Sequence, residues 1–106
     1  MRIIPIAFTA ITCCITAASA ADSKAGEAIY VKSCKSCHGL DGTPNPAIVK
    51  MMKVDMRNLG SAEVQAQSDD AIEKIITGGK GKMKPVASVT GKSVDDVVAF
   101  VRTLKK

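Results

Sequence analysis

Large aromatic side chains are almost missing: the 106 residues include two Phe, one Tyr and no Trp, or 3% aromatic. So short a chain, with so few bulky groups, fills a core poorly unaided. Buried apolar volume must therefore come from a partner, from disulfides or from a cofactor. The length leaves no room for a second core, which excludes a barrel enzyme or a two-domain dehydrogenase. No segment alternates cleanly enough to read as a strand, and there is no repeat or low-complexity linker. A large excess of one charge is also lacking. Lys and Arg number 15 against 10 Asp and Glu, giving +5 overall, with 24% charged and 46% hydrophobic residues. Those fractions suit a globular chain. The mild basicity comes without an aromatic platform, so nucleic acid is not an expected partner.

The first residues read as a targeting segment. Met1-Arg2 is a short basic start, Ile3 to Ile15 is mostly apolar, and Ala18-Ser19-Ala20 supplies the small residues of a cleavage site. This three-part pattern predicts a signal peptide over residues 1–20 and a single domain over 21–106. Export to the periplasm is expected, with no membrane span in the mature chain. An uncleaved anchor and a lipid on Cys13 or Cys14 are the rival readings. Pro5 and several Thr residues weaken the first, and the residues preceding each Cys are large for the second. In an oxidising compartment, Cys34 and Cys37 should not persist as free thiols.

Three main helices and one short helix are predicted, an all-α class. The first starts at Asp22-Ser23, where Asp22 can cap it, and runs to about residue 34. The second starts at Ser68, has Asp69 and Asp70 in its first turn, carries an apolar stripe of Ala71, Ile72, Ile75 and Ile76, and stops at Gly78-Gly79. The third starts near Ser93, with Asp95 and Asp96 read as helix-start charges. It carries Val94, Val97, Phe100, Val101 and Leu104 at helical spacing. Pro46 to Met52 forms the short helix, with Pro in its first turn. Long loops remain at 39–46, 53–67 and 78–92. Loops of that length in a small domain are usually organised around something.

Cys34-Lys35-Ser36-Cys37-His38 is the strongest chemical signal. C-x-x-C-H reads as a c-type haem attachment site. Two thiols one helical turn apart can each add to a vinyl group of one porphyrin, and the adjacent His38 then offers an imidazole nitrogen to the iron. A thioredoxin-like site needs a preceding strand, and structural zinc needs four ligands where only His38, Cys34 and Cys37 are on offer. A plain disulfide would leave His38 and the long loops unexplained. With one His, the sixth ligand is Met, Lys, water or nothing. Met51 and Met52 suit packing on a short helix, and Met56 has no evident role. Met83 lies in the glycine-rich, charged run Gly79-Lys80-Gly81-Lys82-Met83-Lys84-Pro85, where a thioether lacks an obvious burial site and iron would provide a partner.

These residues resemble the class I c-type cytochromes, the small bacterial monohaem carriers, over nearly all of 21–106. The resemblance rests on a first helix leading into CKSCH, on the following Gly39 and Asp41-Gly42, on IITGG, on the GKGKM loop and on the closing SVDDVVAFVRTL. It implies a small cytochrome c-like fold wrapped around one covalent haem c, with iron held by His38 and Met83. It further implies that Gly26 and Tyr30 meet Val97 and Phe100 where the first and last helices cross. The resemblance places a proline carbonyl on the His38 imidazole, from Pro46 or its rival Pro44. Lys84 stands between Met83 and Pro85, where the family commonly has Pro directly after the axial Met. Two strong axial ligands leave no open position, which implies a periplasmic single-electron shuttle, expected as a monomer and not an enzyme. Lys35, Lys80, Lys82 and Lys84 would steer redox partner proteins with acidic docking surfaces. The alternatives are a haem subunit of a larger oxidoreductase, or a gas-binding or peroxidatic haem protein if Met83 is labile.

Overall fold

The computed structural model describes residues 21–106, together with Ile3 and Pro5. The expected signal segment and the Cys13/Cys14 alternative lie outside the described residues. The described chain is helical: α1 (Ser23–Ser33), α2 (Lys35–His38), α3 (Pro46–Met52), α4 (Ala62–Gln65), α5 (Asp69–Gly78) and α6 (Lys92–Thr103). Among the described residues no helix is long and apolar enough to cross a membrane.

Local chemistry sets the helix ends. The Asp22 carboxylate accepts from the backbone N–H groups of Lys24 at 2.9 Å and Ala25 at 3.3 Å, opening α1. Ser68 Oγ accepts from Ala71 N–H at 3.1 Å, and Asp69 and Asp70 occupy the first turn of α5. Asn45 caps α3, with Pro46 as its first residue. The expected elements are all present, and two four-residue helices, α2 and α4, join them. The start of α6 differs from the expectation near Ser93. Gly91, with φ +58°, makes the entry, and no side chain caps it.

The core is a stack of Val and Ile around Tyr30 and Phe100, drawn from α1, α5 and α6 with Val89 from the last loop. Its centre is the α1–α6 crossing. A Cβ added at Gly26 would sit 1.8 Å from the Asp96 carbonyl oxygen, so only glycine permits this approach. One turn on, the Tyr30 and Phe100 rings pack with centroids 4.9 Å apart at 55°, a tilted arrangement that aromatic pairs favour. The family resemblance had implied this contact. Asp96 is not a plain helix-start charge. It is 5% exposed, and its carboxylate accepts the Asp22 N–H at 2.8 Å and Lys92 Nζ at 2.9 and 3.1 Å. A buried carboxylate needs such partners, and these tie the start of α1 to α6. Asp69 likewise has a second role, pairing with Arg102 at 2.8 Å. The same guanidinium donates to the carbonyls of Gln65 and Gln67, at 2.8 and 2.6 Å, fixing the α4–α5 junction against α6.

Candidate functional site

The CKSCH segment is one helical turn appended to α1. The helix breaks at Cys34, which ends α1 and begins α2. His38 N–H returns to the Cys34 carbonyl at 3.0 Å. Three residues apart on that turn, Cys34 and Cys37 lie on neighbouring positions of one face. Both are free, half-buried thiols. Burial, and secondarily the neighbouring Cys37, pushes the Cys34 thiol above its ordinary pKa. Burial lowers the His38 pKa, which keeps the imidazole neutral with a lone pair available. His38 Nδ1 is buried and has no hydrogen-bond partner. Such an orphan is rare in a finished protein interior.

The turn after His38 is held by several bonds. Tyr30 Oη donates to the Gly39 carbonyl at 2.6 Å, and burial keeps that phenol protonated by raising its pKa. Asn45 N–H donates to the Cys37 carbonyl at 2.9 Å, and Asn45 Nδ2 to the Ser36 carbonyl at 3.1 Å. Asn45 thus clamps the 39–45 turn under the motif while capping α3. Its role escaped the sequence reading, although Asn immediately before a helix-opening Pro is a capping signal. Pro46 is the exposed first residue of α3 and is absent from the cavity wall.

Cys34, Cys37 and His38 open onto a cavity of about 840 Å³. That lies toward the upper end of the size range of small-molecule and cofactor sites, about 300–1,000 Å³. Ile72, Ile76, Val97 and Val101 give it an apolar wall. Met83 lines it too, from the loop after α5. Gly79, at φ +76°, ends α5, and a Cβ there would meet the Met83 carbonyl oxygen at 2.6 Å and Pro85 Cδ at 2.9 Å. Lys80 and Met83 exchange both backbone bonds, at 2.9 and 3.0 Å, around Gly81-Lys82. Positive φ at Gly81 alone of that pair is the sign pattern of a type II′ turn. Lys84 before Pro85 is thereby accommodated, because Pro85 packs on Gly79.

Other wall residues lacked a sequence signal. Met52 and Met56 both line the cavity, whereas Met51 is 70% exposed. Arg57 lines it and pairs with Glu63. Lys80, Lys82 and Lys84 stand at its edge, and Lys82 Nζ donates to the Met52 carbonyl. Lys35 is exposed on α2. The residues fit a covalent haem: two thiols on one turn, a neutral imidazole with an unpartnered buried nitrogen, a thioether from a distant loop, and an apolar wall around all four.

The comparisons agree with that chemistry. A family model for cytochrome c oxidase, cbb3-type, subunit III matches residues 21–101. A solved structure described as KustC0563 c-type cytochrome is similar at 33% identity and a TM-score of 0.65, over 76% of this chain and 98% of that one. No curated protein sequence matches the chain.

Proposed function

This chain belongs to the c-type cytochromes, in the family described as cytochrome c oxidase, cbb3-type, subunit III, and on that premise we propose that it is an exported single-electron carrier whose haem iron is held by His38 and Met83. Family membership brings one covalently bound haem c and electron transfer as its use. Bound there, haem c supplies a ferric/ferrous couple. The observation that carries the finer reading is the meeting of Cys34, Cys37, His38 and Met83 on one apolar cavity.

Each residue has a part. Cys34 and Cys37 would form the two thioether links. His38 would offer an imidazole nitrogen to the iron, and its buried Nδ1, which has no hydrogen-bond partner in the structure, leaves a proton for an acceptor such as the Pro46 or Pro44 carbonyl. Met83 would supply its thioether to the iron, a ligand that favours the ferrous state. The Val and Ile wall excludes water, so the surroundings change little when charge changes. The Met83→Ala variant tests the assignment. Loss of the far-red thioether-to-ferric-iron band, with a lower potential, is expected; survival of the band would refute it.

Lys35, Lys80, Lys82 and Lys84 would form a basic rim for partners with acidic docking surfaces. Charge reversal at Lys80 and Lys84 should flatten the salt dependence of electron transfer, and an unchanged dependence would sink the docking surface. The oxidase-subunit description of the matching family favours a second reading, a dedicated haem subunit. Against it, this chain spans 98% of a solved chain described simply as a c-type cytochrome. Solution mass and co-purification separate the two, a stable larger complex favouring the subunit.

A further inference from the structure

Lys82 differs from the lysines beside it. Its Nζ reaches 30 positions back to the Met52 carbonyl, at the end of α3. Met52 supplies one of the last carbonyls of that helix, which have no donor within it, and a cation there also suits the helix dipole. Lys53 follows with φ +52°, the only non-glycine residue with positive φ among the described residues. A side chain in that region persists where its surroundings over-determine it. Both ends of the contact border the cavity, since Met52, Lys82 and Met83 all line it. The contact therefore bridges the α3 side of the mouth and the tip of the Met83 turn.

We propose that Lys82 is a positioning residue: it latches the Gly79–Pro85 loop to the end of α3 and so holds Met83 in place over the cavity. The inference rests on Met83 as the axial ligand for its functional consequence, but the latch is a property of the loop alone. The Lys80–Met83 backbone pair makes the turn stiff, so anchoring Lys82 restrains its neighbour Met83. The Lys82 ammonium keeps its charge, since its partner is a neutral carbonyl, so the latch leaves the basic rim intact.

Lys82→Met keeps most of the stem and removes the donor. Lys82→Arg keeps a donor, and Lys84→Met removes the same charge from the same loop without touching the latch. Two readouts apply to the ferric holoprotein: the affinity for added imidazole, which must displace the sixth ligand, and amide hydrogen exchange at Lys80 and Met83. Losing one exposed, charge-assisted bond should tighten imidazole binding and speed exchange by about five-fold in Lys82→Met. Lys82→Arg and Lys84→Met should stay within about two-fold of the parent. Equal behaviour of Lys82→Met and Lys84→Met in the exchange measurement overturns the latch, as does failure of Lys82→Arg to retain slow exchange. If Met83→Ala instead keeps its far-red band, the ligand assignment falls, and exchange still decides the latch.

Discussion

Gly26→Ala should be the most damaging single-methyl change in the molecule. The new Cβ would lie 1.8 Å from the Asp96 carbonyl oxygen, 2.4 Å from its carbon and 3.0 Å from Val97 N. Non-bonded carbon contacts are comfortable at about 3.5 Å, so α1 and α6 must separate by roughly 1.5 Å. Backbone faces backbone here, so no rotamer change relieves the clash. The same separation disturbs the Tyr30–Phe100 packing at 4.9 Å and the Asp22 N–H bond to Asp96 at 2.8 Å. Overpacking at about 2 kcal/mol and a weakened bond to a carboxylate at about 2 kcal/mol oppose a helix-propensity gain of about 1 kcal/mol. The net loss is about 3 kcal/mol, which for a domain of this size lowers Tm by about 12–24 °C. Thermal unfolding followed by far-UV circular dichroism reads it. Gly78→Ala is the control, since a Cβ there meets nothing within 4 Å. A Gly26→Ala protein melting within about 3 °C of the parent would refute a backbone-on-backbone crossing.

Three polar side chains give further expectations. The Asp96 carboxyl is held below its ordinary pKa, first by the Asp22 N–H and then by Lys92, against the opposing effect of burial. A depressed folded-state value means stability that is fully present above the unfolded pKa, near 4, and lost as pH falls through the folded value. Asp96→Asn should therefore melt lower than the parent at pH 7, with the gap narrowing below pH 4; a gap independent of pH would contradict the assignment. Glu73 behaves in the opposite sense. Its carboxyl is pushed up first by the neighbouring Asp95 carboxyl, then by partial burial and by the charges of Asp70 and Asp69. Glu73→Gln should raise Tm at pH 7, with the advantage disappearing as pH falls through the raised value, and a lower Tm at pH 7 would count against it. Asn45→Ala removes the α3 cap and the bond to Ser36, costing about 1 kcal/mol, or about 4–8 °C in Tm. Amide exchange at Gly39 should accelerate with it, and unchanged exchange would argue that the turn is held without Asn45.

Much of this architecture was legible because its determinants are local. Asp22 and Ser68 announce helix starts within three residues of the bonds they accept, and Pro46 opens α3 where proline is tolerated. The CKSCH spacing is itself a helical turn. Asp96 was misread because its defining partner is 74 positions away in sequence, at the Asp22 N–H. No periodicity can reveal a contact that exists only once two helices cross. Helix α4 is too short to carry a pattern, and Ser61 Oγ and Gln65 hold it through individual bonds. Met52 ends α3 and Met56 sits in the loop after it; they join the cavity wall through the way α3 and that loop are placed, which leaves no trace in apolar spacing. Lys82 looks like its neighbours in sequence and differs only in reaching α3.

The central claim is that Cys34 and Cys37 bind one haem through their sulfurs. Intact-mass measurement of the exported protein after acidified-acetone extraction tests it most directly. The account predicts a coloured polypeptide heavier than its amino-acid sequence by the mass of one haem, with that increment lost when Cys34 and Cys37 are both replaced by Ala. A polypeptide at its bare sequence mass, with the pigment left in the acetone, would contradict it.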